Sequence, residues 1–364
     1  MKQVGIITHY DVHNHGALLQ LTALCRVLYK MGADAKALQF EKNYDFLGHN
    51  LKTKYEISIK SVGFYLKYFR DKGLGCTWYN YKKRRTLNQY KKDSHLIGEY
   101  YSSAKELDAV FIGSDEVFAL HTGPTPVFFG HGLPTDNIFS YAGSFGPTTF
   151  EEIRKLNTLG FVKSGLEGMK SITVRDFNSA EIVEKLIDKR PPIVVDPVIL
   201  YGFENEISSL KQPDIPKFVL IYAYDNRMND PEEVKFIKEY AKKCGLKTVS
   251  AGFYHEWCDY NIDIDPISLL SYFKFSDCVI TDTFHGSIMS LITGARFVAK
   301  TRESNHLKLV NLLREYDVED RIIKDWNTLD TKLSIPLDYI RVNQKIDERR
   351  AFSMKELQKM VANL

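Results

Sequence analysis

Short apolar runs alternate along this chain with longer stretches whose apolar positions fall on one helical face, the signature of strand and helix in turn. QVGIIT (residues 3–8) predicts a strand, HGALLQLTALCRVLYKMGA a helix closing at Gly32, and AKALQF (35–40) a second strand. That is a βαβ unit, and the right-handed crossover rule makes its strands parallel. Further strands are predicted at AVFIG (109–113), NIFSYAGS (137–144), SITV (171–174) and IVVD (193–196), with helices over 149–163 and 176–188. Pro191, Pro192 and Pro197 punctuate the end of this half. From about residue 205 the alternation restarts. KFVLIYAY (217–224) reads as a strand, DPEEVKFIKEYAKKCG as a helix with an acidic start and a basic end, and LKTVSAG as a strand. A helix over 266–275, a strand at CVIT (278–281), a helix from Ser287 to Thr293, the strand ARFVAK (295–300) and a helix over 305–315 follow. The last helix, DERRAFSMKELQKMVANL, carries no sign of the unit it packs on.

The expected fold class is therefore α/β, with two Rossmann-like domains facing across a cleft. The expected division is 1–204, with an insertion at about 41–100, then 205–335, then a helical tail over 336–364. A chain of 364 residues is long for one core, which agrees with two domains. Ligands of such sheets bind beyond the carboxyl ends of the strands, so the strand ends are where chemistry is sought.

Composition narrows the class. With 44% hydrophobic and 26% charged residues the chain reads as an ordinary soluble globular protein. A net charge of +3 does not point to wholesale nucleic-acid binding. The five cysteines, 25, 76, 244, 258 and 278, are scattered and form no CxxC pair. Reduced thiols and a cytoplasmic setting are expected, not a disulfide scaffold or a zinc ribbon. MKQVGIITHY enters a strand almost at once and shows no leader-peptide apolar region, and no apolar run is long enough to span a membrane.

One segment departs from this average. Residues 52–92 carry twelve basic side chains (Lys52, Lys54, Lys60, Lys67, Arg70, Lys72, Lys82, Lys83, Arg84, Arg85, Lys91 and Lys92) against Glu56 and Asp71 alone. Aromatics are interleaved, as in FYLKYFR and WYNYKKRR. A solvated helical excursion accounts for the pattern. So does peripheral contact with an anionic membrane surface, with nucleic-acid contact as the remaining alternative.

Five strand ends carry candidate chemistry. In THYDVHNHGALLQ, Asn14 and Gly16 precede a helix, and Gly16 permits close backbone approach by a ligand. The loop lacks GxGxxG, and its histidines 9, 13 and 15 with Asp11 match no metal-site spacing, so no metal is expected. FIGSDEVF supplies Ser114 and Asp115, which helix capping would explain equally well. SYAGSFG brings small residues, among them Ser144. SITVRDFNS ends on Arg175, a cation that must meet an anion, either Asp176 or a ligand. CVITDTFHGS sets Asp282, Thr283 and His285 beside Gly286 and Ser287 at a helix start. Unpaired amides there make a natural anion site, and capping by Asp282 or Thr283 is the plainer alternative.

Taken in order, NHGALLQ, GSDEVF, SYAGSFG, VRDFNS and TDTFHGSIMS resemble the polysaccharide pyruvyl transferase family, over roughly residues 3 to 322. The family's fold is similar to the GT-B architecture of glycosyltransferases. The resemblance implies transfer of pyruvate from phosphoenolpyruvate onto a sugar of a cell-surface polysaccharide, such as a capsule or exopolysaccharide, or its lipid-linked precursor, with formation of a cyclic ketal and no cofactor. It implies a catalytic role for His285 and a donor contact for Arg175. Better-studied branches have Arg-Leu-His where this chain has Thr283-Phe284-His285, so one donor arginine is missing. Lys308 or Arg302 is the candidate replacement. Glu116 stands where relatives often have Gln, and His15 where an aromatic residue is frequent.

Phosphoenolpyruvate carries a carboxylate and a phosphate, so its pocket needs fixed cations and backbone donors. Arg175 offers bidentate geometry, and the Gly286 and Ser287 amides are expected to serve the other group. His285 suits the general acid, with Asp282 or Asp115 orienting it or accepting a hydroxyl proton. Two rivals stand beside this reading. One is a glycosyltransferase using a nucleotide-sugar, with Glu303 as its late carboxylate; the other is a non-catalytic glycan-binding relative.

Overall fold

The computed structural model describes residues 1–41, 60–122 and 125–364. Two parallel sheets form its frame. The first contains β1 (Lys2–Ile7), β2 (Ala33–Gln39), β3 (Ile97–Tyr100), β4 (Ala109–Ile112), β5 (Ile138–Gly143) and β6 (Ser171–Val174). The second contains β7 (Phe218–Tyr222), β8 (Lys247–Ala251), β9 (Tyr260–Ile262), β10 (Cys278–Thr281), β11 (Phe297–Lys300) and β12 (Ile322–Ile323). Their orders are β3-β2-β1-β4-β5-β6 and β12-β11-β10-β7-β8-β9, the same doubly wound path twice. Strands β4, β5, β7 and β10 are buried at every position, because helices cover both faces of a parallel sheet. The sequence pattern is apolar for the same reason.

Several elements differ from the pattern. IVVD pairs with β6 through a single bridge, Val174 to Ile193, and is otherwise irregular. The helix expected over 149–163 is two helices, Phe150–Lys155 and Leu159–Glu167, parted at Asn157, which adopts a left-handed φ of 54°. Thr149 and Glu152 close the first with a reciprocal capping box. The last helix runs over Tyr339–Val361 and straps the two units together. Tyr339 donates to the Ala295 carbonyl at its start, while Ser353 accepts from the Val195 amide at 3.0 Å farther along.

The basic segment forms a helix over Lys60–Asp93, interrupted at Gly73 (φ 73°, ψ 168°), a conformation open to glycine. Lys52, Lys54 and Glu56 lie outside the described residues, as do the side chains of Lys60, Lys67, Arg70, Asp71 and Lys72. Beyond Gly73 the helix lies against the second unit. Tyr79 Oη donates to the Ile262 carbonyl at 2.7 Å, Asn80 to Asp225 at 3.0 Å and Thr86 to Asp263 at 2.8 Å. No helix among the described residues is long and apolar enough to cross a membrane.

Candidate active site in the interdomain cleft

All the strand ends singled out above open between the two sheets. The tightest cluster centres on a residue that the motif reading passed over. Asp196, its side chain 1% exposed, lies 3.1 Å from Arg175 Nη1 and 3.6 Å from His285 Nε2 through one carboxylate oxygen, Oδ2. Gln20 also donates to Oδ2, and the Val198 amide donates to Oδ1 at 3.0 Å. Arg175 extends its second nitrogen to Asp115 at 3.3 Å and lies over the Phe284 ring, 4.5 Å from its centroid. One guanidinium and one imidazole, contributed by different sheets, therefore share a buried carboxylate.

The charges set one another. Burial works against an ionised Asp196, but the imidazole of His285, the Arg175 guanidinium and the Val198 amide outweigh it and hold its pKa below the usual carboxyl value. Burial opposes ionisation of Asp115 in the same way. Arg175 foremost, then His285, His9 and Lys308, overcome it and keep that pKa low as well. Burial also works against a charged Arg175, yet Asp115 and Asp196 raise its pKa, so the guanidinium stays charged.

Two of the expected roles move. Asp282 does not orient His285. Its carboxylate is fully buried and turned the other way, 3.1 Å from Arg302 Nε and 4.0 Å from Arg227 Nη1. Burial raises its pKa in spite of those two arginines. Arg302 is held there by Asp282 and by Glu233 at 2.9 Å, so it belongs to a separate cluster and not to the Arg175 pair. The carboxylate that faces the imidazole is Asp196.

The helix after β10 begins at Phe284, not at Ser287, with Thr283 as its cap. The Gly286 amide donates to Thr283 Oγ1 at 2.9 Å and the Ser287 amide to the Thr283 carbonyl at 3.2 Å, so neither is open to a ligand. First-turn amides without intrahelical acceptors are those of Phe284 and His285. Gly286 is required for packing: a Cβ there would sit 2.2 Å from Thr281 Oγ1. Thr283, standing where an arginine was sought, is 6% exposed and serves the cap.

Lys308 does reach the cluster. Its Nζ lies 6.0 Å from the centroid of the Phe284 ring, on which Arg175 also lies, and pairs with Glu116 of the first unit at 2.6 Å. Ser144 Oγ donates to Asp176, and its amide donates to the Asp115 carbonyl at 2.9 Å, which ties β5 to the Asp115 loop. Ser114, 3% exposed, accepts from Thr8 through its carbonyl at 3.1 Å. Both serines hold the loop in place. Asn14 caps the first helix through the Ala17 amide and reaches Tyr224 Oη across the cleft at 3.4 Å. The three loop histidines find three separate partners: His9 the Glu116 carbonyl, His13 Asn88, and His15 the Ile264 carbonyl at 2.8 Å. Glu303 is exposed, within a single turn beside Arg302.

Gly16 has the sharpest steric role. A Cβ at this position would lie 2.4 Å from His285 Cγ and 2.6 Å from its Cβ, at the root of that side chain, so the imidazole must shift to make room. Gly16→Ala is therefore expected to displace the imidazole from Asp196 and lower turnover by about 10²-fold, the order that a misplacement of about 1 Å can cost. Ligand affinity at Arg175 should stay within a few-fold. Equal turnover in the two proteins, measured at saturating substrate, would contradict the placement of His285.

From this cluster a cavity of about 940 Å³ runs outward between the helices Phe177–Ile187, His306–Glu315 and Tyr339–Val361. Arg175, Asp196, Phe284 and Lys308 line its inner end, and Phe177, Arg190 and Phe352 its outer part.

Two doubly wound sheets, a cleft between them and charged residues at the facing strand ends define a GT-B-like α/β protein. Solved structures agree on the fold. Arabidopsis thaliana UGT89C1 complexed with UDP-L-rhamnose is similar at 12% identity and a TM-score of 0.52, covering 99% of this chain and 98% of that one. A trehalose-6-phosphate synthase, OtsA, is similar at 11% identity and a TM-score of 0.50, covering 99% and 97%. No curated protein sequence matches the chain. The sequence model of the polysaccharide pyruvyl transferase family matches residues 14–304, and the chain belongs to that family of transferases.

Proposed function

We propose that the protein transfers pyruvate from phosphoenolpyruvate onto a saccharide of a cell-surface polysaccharide, or its lipid-linked precursor, and closes a cyclic ketal. The observation that carries this reading is the convergence of Arg175 and Lys308 on one aromatic ring, beside an imidazole backed by a buried carboxylate. A donor with two anionic groups needs two cations, and protonation of an enol phosphate at carbon needs an acid.

In the proposed reaction the imidazolium of His285 gives its proton to the terminal carbon of the donor. Positive charge develops at the adjacent carbon, next to the carboxylate. An acceptor hydroxyl adds to that carbon, and its proton passes to Asp115 or to solvent. The carbon–oxygen bond to phosphate then breaks and inorganic phosphate leaves with the bonding pair. A neighbouring hydroxyl adds and loses its proton, which closes the ring. Atoms and electrons balance without an oxidant, a reductant or a cofactor. Asp196 stabilises the charged imidazole before transfer, as a buried carboxylate partner does. The donor's anions reach Arg175 and Lys308 in exchange for Asp115 and Glu116, their partners here. Phosphoenolpyruvate, a cytoplasmic metabolite, sets the reaction on the cytoplasmic side. The five cysteines are all free thiols, which suits that compartment.

Incubation with phosphoenolpyruvate and candidate free or lipid-linked saccharides tests the activity. The product should gain the mass of pyruvic acid less one water, with release of inorganic phosphate. Transfer of a glycosyl group from a nucleotide-sugar instead would overturn the reading. Arg175→Lys is expected to weaken donor affinity by about tenfold or more, because the forked contact is lost while the charge stays. Donor affinity equal to wild type in a binding titration would remove Arg175 from the donor site.

A further inference from the structure

Past Gly73 the basic helix has two unlike faces. Cys76, Tyr79, Lys83, Leu87 and Tyr90 are buried against the two units. The opposite stripe, spaced three and four residues apart, is Leu74, Trp78, Tyr81, Lys82, Arg85 and Lys92. Its apolar members are open to solvent: Leu74 is 80% exposed, Trp78 59% and Tyr81 52%. Trp78 and Tyr81 stack with centroids 5.6 Å apart, and Lys82 Nζ lies 5.4 Å from the Trp78 centroid. Between Gly73 and Lys92 there are six basic residues and no acidic one.

We propose that this stripe is a docking face for an anionic membrane surface. Charge complementarity selects the partner. Aromatic side chains with an apolar body and a polar tip sit at the headgroup level, and the flanking cations meet anionic lipid. The same helix borders the cleft through its other sides: Asn88 accepts from His13 at 3.2 Å and Asn80 bonds Asp225. Docking on this stripe holds the cleft against the bilayer, where a saccharide carried on a lipid would be presented. The inference deepens the proposed function by naming where the acceptor is met, and its test needs neither donor nor acceptor.

The experiment is co-sedimentation of the full chain with vesicles of phosphatidylcholine alone, and with vesicles containing phosphatidylglycerol. Binding is expected to the anionic vesicles only and to fall with added salt. Each basic residue near an anionic surface is worth about fivefold in partitioning. The Lys82→Gln/Arg85→Gln/Lys92→Gln triple variant should therefore bind on the order of 100-fold more weakly. Trp78→Ala/Tyr81→Ala should lose about tenfold with the salt dependence retained. All five side chains are exposed, so thermal midpoints should stay at the wild-type value, and a shifted midpoint with unchanged partitioning counts against the proposal. Equal binding to neutral vesicles, or partitioning unaffected by either variant, overturns it, the latter because another part of the chain would then cover or replace the stripe. Preference for an RNA homopolymer over anionic vesicles overturns it too. Pyruvyl transfer to a free saccharide would survive any of these failures.

Discussion

Replacing His285 by alanine is expected to lower pyruvyl transfer by about 10²–10⁴-fold, the usual worth of a positioned general acid. The effect should fall on the maximal rate, with little change in donor affinity, because the cations at Arg175 and Lys308 are untouched. The fold should survive. The His285 side chain is 14% exposed, and the helix it starts is capped by Thr283 and pinned by Gly286. The check is steady-state transfer with release of inorganic phosphate, beside a thermal melt of the same preparation. A variant that melts normally and turns over at the wild-type rate would remove His285 from the chemistry.

Asp196→Asn is expected to damage both stability and rate. An amide has one acceptor oxygen where the carboxylate has two, so it cannot serve the Val198 amide on one side and Gln20 and Arg175 on the other, and Arg175 and His285 lose the charge that faces them. Breaking a buried pair from one side typically costs about 3–5 kcal/mol. Acidity should show the same thing. The pKa of Asp196 is lower in the fold than the ordinary carboxyl value of 3.8, so its contribution is complete above about pH 4 and lost as pH falls through the folded value. The wild-type advantage in a denaturant melt should hold from neutrality down to that point and shrink below it. An advantage that instead grew on acidification would place the wrong sign on the interaction.

The sequence showed the frame because parallel strands covered on both faces are buried throughout and mostly apolar, as β4, β5, β7 and β10 are. The edge strands β3, β9 and β12 escaped notice, since the first two are a few partly exposed residues and the third is only Ile322 and Ile323, too short to leave such a run. The site was half legible. Arg175 follows directly on a strand, and Asp115 and His285 lie in the turns just beyond one, where a polar residue is conspicuous, and the structure brings them together. Asp196 was hidden because IVVD read as a strand with its carboxylate as a mere terminus. Its link to His285 joins distant parts of the chain, which no local pattern encodes. The Asp-Pro step that caps the short helix Pro197–Tyr201 was the available signal. Asp282 was singled out at its strand end and Arg302 as a candidate donor cation, but they pair with each other, which only side-chain direction decides. Lys308 belonged to no motif pairing with Glu116, yet the two meet across the cleft.

The most direct test of the central claim is a calorimetric titration of phosphoenolpyruvate into wild-type protein and into Arg175→Ala, with UDP-glucose as a parallel titrant. Saturable binding of phosphoenolpyruvate to the wild type, at least about tenfold weaker in the variant and without comparable binding of UDP-glucose, is the predicted result. Tight binding of UDP-glucose with none of phosphoenolpyruvate, or an affinity for phosphoenolpyruvate that ignores residue 175, would contradict it.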